Sequence, residues 1–171
     1  MKKLLLFLLP LLVLLSSCEK EAGHPLFYRE GECLVEGIYT KNGVSYRVSL
    51  VRKADGSGSV SYLSPENARD FTFSVSEGEE TLLCGEYAFS LGKIASDASV
   101  LLSLLSLKEE EILSIGLEEK DGRASNRLSF RDASVWLDPE TGFPFCFASS
   151  REGREIAFSV VGFQYAEEGE K

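Results

Sequence analysis

Residues 42–50, Asn42-Gly43-Val44-Ser45-Tyr46-Arg47-Val48-Ser49-Leu50, decide the fold class. Val44, Tyr46, Val48 and Leu50 alternate with Ser45, Arg47 and Ser49, the period of a strand with one face buried and one face wet. Asn-Gly immediately before such a run signals a two-residue hairpin, because both central residues of a type I′ turn take positive φ. Cys33 to Thr40 is therefore expected as the partner strand. Further along, Asp55-Gly56-Ser57-Gly58 marks a turn into a strand carrying Val60 and Tyr62. Phe71, Phe73 and Val75 alternate again, and Glu77-Gly78-Glu79 turns the chain into a strand expected from Leu82 to Phe89. Serial hairpins of this kind predict an antiparallel, mainly β domain.

The middle of the chain changes period. Val100, Leu101, Leu102, Leu104, Leu105 and Leu107 fill most of a helical circumference, while Ser99, Ser103 and Ser106 make one narrow polar stripe. The spacing predicts a largely buried helix over Ser99 to Leu107, capped by Ser96 or Asp97. Ser106-Leu107-Lys108-Glu109 has the pattern of a capping box and predicts a second short helix through Leu113, ended by Gly116. Glu109, Glu110 and Glu111 would then complement the dipole of its first turn. Strands return with Leu117 to Glu119, Leu128 to Phe130, and Val135-Trp136-Leu137. A strong turn follows at Asp138-Pro139-Glu140-Thr141-Gly142, then strands over Phe143 to Ala148 and around Ile156, Phe158 and Val160. Pro144 belongs at a strand's start or at an edge.

The N-terminus carries an address. Lys2 and Lys3 precede an apolar run, Leu4 to Leu15, which is interrupted at Pro10 and too short to span a bilayer. Leu15-Ser16-Ser17-Cys18 resembles the bacterial lipobox, an aliphatic residue and two small residues before a cysteine. That resemblance implies a signal peptide over 1–17 and a diacylglyceryl group on Cys18, anchoring the protein to a plasma or outer membrane of the cell envelope. The expected plan is a lipidated tether over 18–31, one domain over 32–165 and an acidic tail over 166–171. Removing the signal leaves 154 of 171 residues, enough for one core without metal or disulfides. It also leaves sixteen Lys and Arg against twenty-seven Asp and Glu, a charge of −11. Such a body argues against nucleic acid and against polybasic attraction to anionic lipid. Cys33, Cys84 and Cys146 sit among apolar neighbours, either as buried thiols or with one of three pairings closed.

The meander, the leucine-rich helical insertion and Val135-Trp136-Leu137-Asp138-Pro139-Glu140-Thr141-Gly142-Phe143-Pro144 together resemble the lipoprotein-carrier fold, LolA/LolB-like and RseB-type, over roughly Glu32 to Tyr165. The resemblance implies an α+β architecture in which an antiparallel incomplete β-barrel curls around helices, with an inner apolar face able to hold acyl chains. The chain departs from the family where the carriers begin with a longer amphipathic helix, since His24 to Gly31 has room for two turns at most.

Catalytic constellations are scarce. The single histidine, His24, lies in the expected tether, where it cannot be held in productive geometry. The cysteines lack zinc spacing, and the chain has neither a P-loop nor a GxGxxG after a strand. No enzyme activity, metal or cofactor is expected. Phe71, Phe73, Phe143, Phe145, Phe147, Phe158, Phe163 and Trp136 are instead numerous for a domain of this size. Val44, Tyr46, Val48, Phe71, Phe73, Leu101, Leu105 and Trp136 are the candidate lining of a cavity for a hydrophobic ligand, lipid or lipidated protein. The alternative is a protein–protein interaction or sensor module whose cavity is filled by its own side chains. A carboxylate hydrolase is a third. An apolar cavity above roughly 300 Å³ would favour the first.

Overall fold

Three hairpins show how local chemistry builds the sheet. Asn42-Gly43, Glu77-Gly78 and Asp121-Gly122 each have positive φ at both residues, the I′ geometry whose twist matches the flanking strands. The computed structural model describes residues 26–29, 31–93, 96–151 and 154–166. Its strands are β1 (Glu32–Lys41), β2 (Val44–Arg52), β3 (Gly58–Ser64), β4 (Phe71–Ser76), β5 (Glu79–Cys84) and β6 (Tyr87–Gly92). After the helix α1 (Asp97–Leu104) come β7 (Ser114–Lys120), β8 (Arg123–Ser129), β9 (Ala133–Leu137), β10 (Pro144–Arg151) and β11 (Arg154–Ala166). All eleven form one antiparallel sheet in the order β6-β5-β4-β3-β2-β1-β11-β10-β9-β8-β7, with β6 and β7 as its two edges. The first and last strands pair at the centre, so both halves of the chain are tied together there.

The sheet is curved. A helix of eight residues is about 12 Å long and about 10 Å across, whereas β3 and β10 are four strand spacings apart, roughly 19 Å in a flat sheet. Both pack against α1, so the sheet bends around it. This open antiparallel sheet with a helix in its concavity is the architecture the carrier resemblance implies.

Ser96 caps α1, accepting hydrogen bonds from the backbone N–H groups of Ala98 and Ser99. The helix ends at Leu104, earlier than the leucine spacing predicts. Its polar stripe turns inward on the backbone: Ser99, Ser103 and Ser106 donate to the carbonyls of Ser96, Val100 and Leu102. Two contacts fix the helix start, a Lys41–Asp97 ion pair at 2.6 Å and the buried Glu80 carboxylate accepting from the Ser96 N–H at 3.0 Å.

Three sequence expectations need correction. The strand expected over Leu82 to Phe89 is two strands, because Gly85, at φ +59°, turns the chain with Glu86. The Ser106–Glu109 capping box does not form, since the Ser106 hydroxyl is engaged with Leu102. Instead Glu111 accepts from the Lys108 N–H over a single 3-10 turn, Glu109–Glu111. Gly116 ends no helix, lying inside β7.

The packed domain begins by Leu26, inside the stretch expected as tether. Leu26 and Tyr28 are wholly buried, and the Tyr28 ring meets Phe147 and Phe163 edge-on. Arg52 holds this segment. Its buried guanidinium donates from Nη2 to the carbonyls of Tyr28 (2.9 Å), Arg29 (2.8 Å) and Gly31. Pro144 opens β10, as expected. Gly37 sits at the β1/β11 bulge, where an added Cβ would strike the Phe158 ring and the Ser159 carbonyl. Cys33, Cys84 and Cys146 are free thiols.

Replacing Arg52 with Met would strand those buried carbonyls. We expect a loss of roughly 3 kcal/mol, read as a lower urea midpoint; an unchanged midpoint would show that the latch contributes nothing to stability.

Candidate functional site

Register decides which side chains share the inner face. Tyr39 lies opposite Tyr46, Val48 opposite Tyr62, Val60 opposite Phe73, Phe73 opposite Leu82, and Leu82 opposite Phe89. Directly opposed residues in an antiparallel pair project to the same side. An aromatic band therefore runs from β1 across to the edge strand β6.

The band grows more open toward that edge. Tyr39 is buried, Phe73 is half-buried, and Phe89 is exposed. Between Tyr39, Val44, Tyr46, Tyr62, Phe71 and Phe73 lies an open cleft of about 620 Å³, with Lys41 and Asp97 also on its wall. Tyr39 stacks on Tyr46 at 5.1 Å, and Tyr62 meets Tyr46 edge-on at 5.8 Å. The Tyr39 and Tyr62 hydroxyls share a 2.8 Å hydrogen bond, so the rings present carbon to the cleft while their polar ends satisfy each other.

Four of the eight expected lining residues, Val44, Tyr46, Phe71 and Phe73, meet here. Val48, Leu101 and Leu105 do not line it. They are fully buried where α1 fills the middle of the sheet's inner face. Trp136 lies on the opposite face, and the reason is parity. Val135 and Leu137 join the core, so the residue between them must point outward. There the indole N–H donates to Glu118, while Lys120 and Arg127 lie over the ring at 5.1 and 5.4 Å. That hydrogen bond, with Arg127 beside it, holds the Glu118 carboxyl below its ordinary range. Cys18 lies outside the described residues, as do His24 and the rest of 1–25.

The sequence reading missed the other lining residues, among them two tyrosines. Tyr39 was within reach, because a two-residue turn at Asn42-Gly43 sets it opposite Tyr46. Tyr62 was not, since a register shift between Arg47 and Val48 breaks the count from β2 to β3. A second open cleft, about 510 Å³, lies past the end of α1 among Leu104, Leu107, Leu113, Ala133, Arg131 and Arg151. Among the described residues, no three His, Cys, Asp or Glu side chains gather to hold a metal.

No family model matches the sequence, and no curated protein matches it. Among solved structures, an uncharacterised conserved protein from Thermus thermophilus aligns over 82% of each chain at 9% identity, with a TM-score of 0.54. The fold is shared with that protein. A LolA superfamily protein from Nitrosomonas europaea aligns over 82% of this chain and 88% of its own, at 8% identity and a TM-score of 0.42. The lipoprotein LppX from Mycobacterium tuberculosis aligns over 84% and 92%, at 15% identity and a TM-score of 0.42.

Burial raises the Tyr39 phenol well above its ordinary range, and its bond to Tyr62 adds to the rise; burial raises Tyr62 as well. A phenol that resists ionisation in the folded state stabilises fully below the ordinary tyrosine range, near pH ~10. That contribution falls as pH climbs above it. Absorbance at 295 nm should therefore show Tyr39 and Tyr62 titrating only as the protein unfolds. Ionisation of every tyrosine near pH ~10 with the fold intact would contradict the buried pair.

Proposed function

We propose that the protein is a lipid-anchored lipoprotein of the cell envelope that holds the apolar part of a hydrophobic ligand, a lipid or a lipidated protein, in the tyrosine-lined cleft. No bond is made or broken. The observation that carries this reading is the inner aromatic band that starts beside α1 at Tyr46 and Tyr62 and continues past it through Phe73 to the exposed Phe89. A cleft of about 620 Å³ falls within the usual range of small-molecule sites. About eight buried methylenes would contribute roughly 6 kcal/mol, which corresponds to binding in the tens of micromolar.

A second reading has its own support. Val48, Leu101 and Leu105 pack the centre of the concavity solid, as a protein–protein or sensor module with a filled interior would. The two readings part on a fluorescent fatty-acid probe. The cleft reading expects saturable binding that weakens about tenfold or more in Phe71→Lys. Absence of saturable binding would leave the module reading in its place.

The anchor is tested separately. Cells fed labelled palmitate should incorporate it into the wild-type chain, which should sediment with membranes. Cys18→Ser should do neither, and label persisting in that variant would sink the lipobox assignment.

A further inference from the structure

The edge strand β7 carries a row of apolar side chains in water. Ile115 pairs with Leu128 across the β7/β8 ladder, and Leu128 is buried in the core, so Ile115 projects to the inner face. Leu117 shares that face by strand parity, and Leu113 leads into it just before the strand. Yet Leu113 is 71% exposed, Ile115 64% and Leu117 82%. Among the described residues, no strand pairs with the outer side of β7. Soluble proteins usually blunt such an edge with charge, proline or a covering element, because a row of unpaired N–H and C=O groups beside apolar side chains templates another strand. Within 114–117 this edge has neither charge nor proline.

The ends of the strand set the partner's character. Residues 108–121 hold six acidic side chains, Glu109, Glu110, Glu111, Glu118, Glu119 and Asp121, against Lys108 and Lys120. Glu109, Glu110 and Glu111 precede the apolar row and Glu119 follows it, exposed on the same face as Leu117. Glu118 is instead turned to the opposite face against Trp136 and Arg127, and Asp121 pairs with Lys120. At the other end, Leu113 joins Leu104 and Leu107 in the wall of the second cleft, whose volume of about 510 Å³ has room for a large side chain.

We infer that β7 is a docking edge for an extended segment of another protein, one with alternating apolar side chains and basic residues at both ends. The segment adds as a twelfth strand. Its main chain pairs with β7, its apolar side chains cover Ile115 and Leu117, a terminal apolar side chain enters the cleft at Leu113, and its basic ends meet the two acidic groups. A second copy of this chain fits poorly. Pairing β7 with β7 in either direction sets acids against acids, and β6 offers no basic residue between Tyr87 and Gly92. The inference is independent of the tyrosine-lined cleft, which shares no lining residue with β7.

The test uses the full chain in detergent and a fluorescein-labelled peptide of alternating valine and threonine flanked by lysine pairs. Fluorescence anisotropy should show saturable binding that weakens with added salt, and amide hydrogen exchange should slow within residues 114–119. Leu117→Lys should weaken binding roughly tenfold without moving Tm, because that side chain is already in water. A peptide with glutamate flanks should bind at least as weakly. The inference is overturned by no binding of the lysine peptide, by equal binding of the glutamate peptide, by indifference to Leu117→Lys, or by protection gained on β6 instead. A concentration-dependent dimer that Leu117→Lys abolishes would likewise overturn it, giving the edge to a second copy.

Discussion

The structure depends on the burial of one short helix against the inside of a long sheet. An antiparallel sheet of eleven strands has too much apolar inner surface to leave open to water, and α1 with its C-cap residue Leu105 supplies Leu101, Leu102, Leu104 and Leu105 to cover its centre. The leucines lie nearly all round the helix because it has sheet on more than one side: β2 and β3 at one flank, β10 at the other. That requirement bends the sheet. The half-buried serines bond back to the helix's own carbonyls, a local alternative open to Ser on a helix.

A plug of eight residues covers the middle and leaves the margins. Toward β6 the uncovered surface is aromatic, the Tyr39 and Tyr62 hydroxyls pair with each other, and Lys41, Asn42, Asn67 and Asp97 give the cleft a polar rim. Toward β7 it is aliphatic and bracketed by acids. The opposite face is finished differently. Trp136 is covered by Lys120 and Arg127 and hydrogen-bonded to Glu118, so a large aromatic side chain facing outward presents little apolar area. Around Trp136 the outer face is thus salt-linked, whereas the inner face is partly open at both margins. The N-terminal residues Leu26 and Tyr28, drawn in by Arg52, complete the packing and join the domain to whatever precedes it.

Much of this was legible from local pattern. Asn42-Gly43 and the alternation after it identified the first hairpin, although the register that sets Tyr39 opposite Tyr46 came from the structure. The cap was narrowed to Ser96 or Asp97, and it is Ser96; Pro144 was placed at a strand start or an edge, and it opens β10. The errors arose where two local signals competed. Ser106 has the spacing of a capping residue, but its hydroxyl is already committed to Leu102. Gly116 reads as a helix stop, yet edge strands tolerate glycine. Gly85-Glu86 divides what alternation alone reads as one strand. For the site, residue type pointed to Phe71 and Phe73, which border the cleft, but it could not separate them from Leu105 or Trp136.

The sequence by itself determined the mainly β class, most of the hairpins and the buried leucine helix. Each follows from chemistry between near neighbours: turn residues that accept positive φ, side-chain period and caps. Only the tertiary structure decided that Val48, Leu101 and Leu105 are core while Tyr46 and Phe73 border open space, that Trp136 faces outward, and that Leu117 stands uncovered at an edge. Those outcomes depend on how far one short helix reaches across a curved sheet and on register shifts accumulated over several strands, and neither quantity is encoded in any local stretch.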